Sequence, residues 1–323
     1  MVDWQAFGKQ VTELPQIQPT EDEELTYTYE GTRLLKVSPE STMNDMKTFQ
    51  VREDDLYLIS YPKAGTTWMQ EIISMVVHEG NEEEVNKTHV FFRFPFLEMS
   101  WVSHYSQVDM LPPTHKLIEQ MDSPRMIKSH LPGELLPPQI YEKKPKVVYV
   151  ARNPKDCAVS FYHFHNLDMT LQSYKTWDAF FTEFYDGTVY NGSWFSHNLF
   201  WWNKRHEPNV LFMKYEDMKK DLKGAVKQTA KFLGKQLTDD VVARIADHCT
   251  FAKMKKNLSA NPDTLGFNED DCKKEEKKKA QPSFMRKGKV GDWKNYFSVA
   301  QNDLFDRRFQ ETMADTGLDF DFN

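Results

Sequence analysis

The stretch Leu56-Tyr57-Leu58-Ile59-Ser60-Tyr61-Pro62-Lys63-Ala64-Gly65-Thr66-Thr67-Trp68 changes character twice within a few residues. Leu56–Ser60 is short, apolar and suited to a buried strand, Pro62 and Gly65 mark a turn, and Met69, Ile72, Ile73, Val76 and Val77 then recur at helical spacing. A tight turn between a strand and a helix gathers unpaired backbone N–H groups and the positive end of the helix dipole in one place. Gly65 lets the backbone approach a ligand closely, Lys63 adds a mobile positive charge, and Thr66 and Thr67 add hydroxyl donors. The combination reads as a cradle for an anion, phosphate above all; an ordinary strand–helix turn is the alternative for this stretch taken alone. It departs from the phosphate loop of nucleotide triphosphatases, in which a first Gly precedes Gly-Lys-Ser/Thr. Here Lys63 precedes the Gly, no second Gly stands nearby, and an aromatic, Trp68, follows the threonines where it can stack on a purine.

The same alternation repeats along the chain. Lys146–Ala151 reads as a strand, with Asn153 as the N-cap and Pro154 as the first residue of the next helix. Val210–Met213 reads as another, followed by a helix with Leu222, Val226, Thr229 and Leu233 on one face and a stop at Gly234. Arg125–Lys128 is a further short strand. Alternating β and α units with long crossovers predict an α/β fold: one domain, with a central parallel sheet flanked by helices on both faces. Ligands of such sheets bind beyond the carboxyl ends of the strands. Lys63, His130, Arg152 and Tyr215 all follow expected strand ends, so they are expected to converge on one crevice.

Composition narrows the function classes. Across 323 residues the formal net charge is −7, which argues against general nucleic-acid affinity and makes any anion site local. Cys157, Cys249 and Cys272 show neither a CxxC pair nor metal-ligand spacing, as expected of a reducing compartment. The N-terminus lacks a basic segment followed by an apolar core, Val2 cannot be myristoylated, and no 18-residue apolar span occurs, so a soluble cytoplasmic protein with no membrane partner is expected. Residues 1–45 read as a partly ordered arm before a domain spanning residues 46–323. The Lys273–Lys279 run reads first as a solvated loop.

A second basic stretch, Arg286-Lys287-Gly288-Lys289-Val290-Gly291-Asp292-Trp293-Lys294, lies far down the chain. Together with Tyr61–Trp68 it resembles the two signature motifs of the cytosolic sulfotransferases. Between them stand, in the family's order, Lys128-Ser129-His130-Leu131-Pro132, Val147–Asp156 and Tyr215-Glu216-Asp217-Met218. The resemblance runs from about Phe49 to the C-terminus. It implies a transferase that moves the sulfuryl group of 3′-phosphoadenosine 5′-phosphosulfate (PAPS) to a hydroxyl or amine of a small, mostly apolar acceptor such as a phenol or sterol, releasing PAP in small-molecule metabolism without a metal.

Roles follow from the resemblance residue by residue. His130 is the expected general base, Lys63 the cation at the bridging oxygen, Lys128 the cation at the sulfuryl oxygens, and Ser160 a partner of both the 3′-phosphate and the loop lysine. Arg152, Ser160, Arg286, Lys287 and Gly288 are expected at the 3′-phosphate. Lys63, Ala64, Gly65, Thr66 and Thr67 are expected at the 5′-phosphosulfate. Trp68, Tyr215, Thr250 and Phe251 are expected around adenine. Phe91, Phe96 and Phe164, with Lys128 and His130, are expected to line the acceptor pocket, where relatives often carry an aromatic in place of Met99. Phe92, Phe94 and Trp101 complete the aromatic run, and His163 and His165 read as packing or pocket residues. Lys294–Asp303 resembles the family's dimerisation motif with Ser298 for Thr and Asp303 for Glu, so a homodimer is expected. Two rival readings are an ATP-dependent small-molecule kinase, for which the second loop glycine is missing, and a non-catalytic protein binding PAPS or PAP, which has no need of a base at the acceptor.

Overall fold

A computed structural model describes residues 25–100, 112–167, 171–265 and 283–323. Trp101, Cys272 and the Lys273–Lys279 run lie outside the described residues. Thr26–Tyr29 (β1) and Thr32–Leu35 (β2) form an antiparallel hairpin. Leu56–Ser60 (β3), Met126–Ser129 (β4), Lys146–Ala151 (β5) and Val210–Lys214 (β6) form a parallel sheet in the order β4-β3-β5-β6. Every residue of β3 is buried, which is why that strand is a continuous apolar run: it pairs on both edges and is covered on both faces.

Alternation along the strands divides the core. Tyr57, Ile59, Val147, Tyr149 and Ala151 point to one face, where they pack with Phe49, Trp201 and the N-terminal residues Tyr29, Leu34 and Met43. Leu56, Leu58, Val148 and Val150 point to the other, against the helices Thr66–Val77, Leu222–Leu233 and Asp239–His248. A third, aromatic cluster joins the helices Pro154–His165, Trp177–Asp186, Trp194–Asn203 and Val299–Met313 beside the sheet. The helix signals read from sequence are present. The Asn153 side chain accepts from the Asp156 N–H with Pro154 at the first helical position, and Gly234 ends its helix in the left-handed conformation.

The described part of the expected N-terminal arm packs against the sheet: the hairpin buries Tyr29 and Leu34 in the same cluster as the sheet residues. The Tyr29 hydroxyl also donates to Asn44 Oδ1 at 2.9 Å, and the Ser100 N–H donates to the Val37 carbonyl at 2.7 Å.

Register between β3 and β4 is fixed by charge as well as by the ladder. Arg125 Nε donates to Asp55 Oδ1 at 2.7 Å and Nη2 to Oδ2 at 2.5 Å, with both side chains at 1% exposure or less. The Leu56 N–H donates to the Arg125 carbonyl in the same place, at 2.8 Å. Removing one partner of a buried bidentate pair strands the other charge. Asp55→Ala is therefore expected to cost about 3–5 kcal/mol of unfolding free energy, read from urea denaturation, and Asp55→Ala with Arg125→Met is expected to recover much of it. A single-variant loss below about 1 kcal/mol would show that the register does not depend on this pair.

Candidate active site

The turn after β3 departs from ordinary backbone geometry at two places. Lys63 has φ +67° and Gly65 φ +110°, the latter as the N-cap of Thr66–Val77 with no side-chain cap on its helix. Alternation of this kind turns successive N–H groups toward one side and makes a concave anion site. No acidic residue occupies the first helical turn. A Cβ at Gly65 would lie 2.7 Å from Tyr215 Cδ2, so glycine is needed both for the φ and for the aromatic wall beside it. Gly288 repeats the arrangement across the cavity: φ is +61° and a Cβ would lie 2.4 Å from Phe251 Cδ2.

Of the residues expected at the site, Lys63, Gly65, Thr66, Thr67, Trp68, Arg152, Ser160, Tyr215, Phe251, Arg286, Lys287, Gly288, Phe91, Phe96, Lys128, His130 and Phe164 all line a single cavity of about 400 Å³. Met99 lines it too. Two do not: Ala64 is wholly buried behind the loop, and the Thr250 hydroxyl donates to the Asp247 carbonyl at 2.9 Å. Phe94 is core, and His165 is buried among aromatic rings away from the cavity wall. His163 bonds the Tyr296 hydroxyl at 2.7 Å.

The strand ends place each group. His130 follows β4, and its Nδ1 lies 2.7 Å from the carbonyl of Ser60, the last residue of β3. A carbonyl accepts only, so Nδ1 carries the proton and Nε2 keeps the lone pair. Burial is the main cause that pushes the His130 pKa down to about 3, with Lys128, His197 and Lys63 adding repulsion, so the ring is neutral at physiological pH. Its ring meets Phe96 edge to face with centroids 5.0 Å apart.

Lys128, 8% exposed, points its ammonium at Phe91 and Phe96, 4.6 and 4.8 Å from the ring centroids. Burial lowers its pKa to about 8, against the opposing pull of Glu98. Arg152 follows β5 and lies over the Tyr215 ring at 4.5 Å; it donates to the Lys63 carbonyl at 3.4 Å and the Lys289 carbonyl at 3.1 Å. One guanidinium thus ties the first loop to the second, and its Nε is buried with no partner among the described residues. In the second loop Arg286 and Lys287 lie 2.5 and 2.7 Å from the carboxylate of Asp292. Burial alone would raise the Asp292 pKa, but those two contacts outweigh it and hold the carboxyl below its ordinary range.

Several lining residues escaped the sequence reading. Leu35, Val37 and Ser38 bring the N-terminal hairpin into the wall, and Lys219 and Phe284 also face the cavity. Glu98 is the least expected. Its Oε1 accepts the His130 N–H at 2.7 Å, and burial raises its carboxyl pKa to about 7. The one signal for it in the sequence is a lone acid ending the Phe91–Leu97 aromatic run.

Residues 53–317 match the model of the sulfotransferase domain. Sulfotransferase 1C2 of Rattus norvegicus is 40% identical over 277 residues, spanning 86% of this chain and 89% of that one. Among solved structures, mouse sulfotransferase SULT7A1 complexed with PAP superposes with a TM-score of 0.71 at 33% identity, covering 90% of this chain and 95% of that one. Retinol dehydratase in a complex with retinol and PAP gives 0.79 at 27% identity, covering 92% of each chain. The chain belongs to the sulfotransferase family. Its enzyme class is that of the PAPS-dependent sulfotransferases, which sets aside the kinase reading. Among the described residues no helix is long and apolar enough to cross a membrane.

The residues present fit the nucleotide. A cavity with two glycine cradles against aromatic rings, a buried guanidinium with an unpartnered Nε and an uncapped helix N-terminus suits a purine nucleotide with separated anionic groups. Gly65→Ala is expected to weaken PAP binding at least roughly tenfold, because the strained φ and the Tyr215 clash each oppose the native loop. Isothermal calorimetry checks it; unchanged affinity would mean that the loop does not cradle the phosphate.

Proposed function

We propose that the protein transfers the sulfuryl group of PAPS to the hydroxyl, or amine, of a small and mostly apolar acceptor such as a phenol or sterol. The observation that carries this reading is the meeting of His130 Nε2, Lys128 and the Phe91, Phe96 and Phe164 rings with the Lys63–Trp68 loop in one cavity. When bound, PAPS supplies the sulfuryl group. The loop N–H groups, Thr66 and Thr67 hold the 5′ end, Arg152, Ser160, Arg286 and Lys287 the 3′-phosphate, and Trp68, Tyr215 and Phe251 the adenine. His130 Nε2 takes the acceptor proton while the Ser60 carbonyl holds Nδ1–H and so fixes the tautomer. Lys63 and Lys128 supply positive charge from two walls, which is the service a metal renders elsewhere. Retinol in the retinol dehydratase complex supports an apolar acceptor, and so do the Phe91, Phe96, Met99, Phe164 and Leu171 side chains in the cavity wall.

His130→Ala is expected to lower turnover by about 10²–10⁴-fold, with PAP affinity within a factor of a few of the parent. Turnover measured with labelled PAPS across phenols, catecholamines, sterols and primary alcohols, beside calorimetry with PAP, separates the two effects. Near-normal turnover of the variant with a weakly acidic acceptor would remove His130 from the mechanism.

The homodimer and a cytoplasmic location belong to the same proposal. Val299, 79% exposed, and Leu304 are the exposed large apolar side chains among the described residues, and Val299 lies inside the Lys294–Asp303 motif. Ser298 has a local task as well: its hydroxyl accepts from the Gln301 N–H and completes a capping box for Val299–Met313. The cap holds Val299 at the first turn, where it projects into solvent. Val299→Glu is expected to give monomers in light scattering that keep PAP binding and turnover, since the cavity is built within one chain. A dimeric variant would place the interface elsewhere.

A further inference from the structure

We propose that Phe284 is a positioning residue for Lys63: its ring and that of Phe164 bracket the lysine ammonium and hold it at the seam between the nucleotide and acceptor halves of the cavity. The proposal rests on the sulfotransferase reading for its consequence, not for its geometry. Lys63 Nζ lies 3.4 Å from the Phe284 ring centroid and 4.1 Å from that of Phe164. The two rings meet edge to face, with centroids 5.4 Å apart and planes at 88°, so they form one bracket rather than two separate contacts. A lysine stem has several rotatable bonds, and an ammonium attracted to ring faces in a partly desolvated cavity keeps fewer of its rotamers. Aromatic rings also hold a cation without cancelling its charge, as a carboxylate would. The two rings thus fix where the Lys63 charge stands beside the Thr66–Val77 helix.

Each ring is fixed independently. Phe164 stands on the helix Pro154–His165. Phe284 is anchored by Asp263, whose carboxylate accepts the Phe284 N–H at 2.9 and 3.1 Å and the Ser283 hydroxyl at 2.6 Å. Asp263 in turn sits in the Pro262–Thr264 turn, capped by the Asn261 side chain through the Asp263 N–H at 3.1 Å, and the Asn261 carbonyl meets His89 Nε2 at 3.0 Å. A chain of contacts thus runs from the segment before Phe91 to the ammonium of Lys63. Asp263 is not itself among the cavity-lining residues.

Two measurements test this. Lysines carrying ¹³C-methyl groups from reductive methylation keep their charge and report ring currents by NMR, with the Lys63 signal assigned through Lys63→Arg. The ligand-free protein is expected to show an upfield-shifted Lys63 signal that moves to the ordinary position in Phe284→Leu and in Asp263→Ala and stays shifted in Phe284→Tyr. In the unmethylated enzyme, Phe284→Leu is expected to lower kcat roughly tenfold, Phe284→Tyr to restore it, and PAP affinity by calorimetry to fall by clearly less than kcat, because the contact of Lys63 with the bridging oxygen is strongest as charge develops there in the transition state. An ordinary Lys63 shift in the parent protein overturns the bracket. Loss of kcat in Phe284→Leu matched by an equal loss of PAP affinity also overturns it, since that is the mark of a cavity disturbed as a whole. Absence of sulfuryl transfer to every acceptor, with the Lys63 shift intact, defeats the functional reading and leaves the bracket standing.

Discussion

The 2.7 Å hydrogen bond between His130 Nδ1 and the Ser60 carbonyl joins the two halves of the site. Ser60 ends β3 and leads into the Lys63–Trp68 loop, while His130 follows β4, the edge strand beside it. The bond forms only if β3 and β4 pair in the observed register, with Ile59 beside Ser129. A slip of one residue would reverse the facing of every side chain on β4 and take Lys128 and His130 out of the cavity. The buried Asp55–Arg125 pair at the far end of the same two strands holds that register. Core electrostatics at one end of the sheet therefore set chemical geometry at the other. The Ser60 hydroxyl lies 2.6 Å from Thr66 Oγ1, so one residue contacts both His130 and the loop.

A chain with a net charge of −7 keeps a cluster of cations in one cavity by choosing their neighbours. Lys63 and Lys128 face aromatic rings, and Arg152 lies over Tyr215 and donates to backbone carbonyls. Rings and carbonyls help to orient these charges. Arg286 and Lys287 are paired more closely, 2.5 and 2.7 Å from Asp292, whereas Arg152 lies 4.0 Å from Asp156. Asp292 is buried, and the Asn295 side chain donates to it as well, so the carboxylate fixes the second loop.

Buried acids tie the surrounding elements together. Glu71 on Thr66–Val77 accepts from Arg93 Nη2 at 2.7 Å and bonds His248 Nε2 at 2.6 Å. It links the Thr66–Val77 helix, the segment carrying Phe91 and the helix before Phe251. Asp156 accepts from the Gly291 and Trp293 N–H groups at 2.8 and 3.0 Å and holds the second loop against Pro154–His165. Neither carboxylate touches the cavity, yet each fixes a segment that does.

The sequence alone determined the strand–turn–helix at Leu56–Val77, the cap at Asn153, the stop at Gly234 and the parallel α/β layout, because apolar period, left-handed turns and capping act over a few residues. Family motifs then picked out residues most of which line one cavity. The tertiary structure decided what those motifs do not encode: Leu35, Val37 and Ser38, at and just after the end of the N-terminal hairpin, as cavity wall, Glu98 beneath His130, the Phe284 ring over Lys63, and the burial of Ala64. Each of these depends on pairing between segments far apart in the chain, as with Ser60 and His130. A residue's own neighbours set its backbone, but only the packed register sets which distant group its side chain meets.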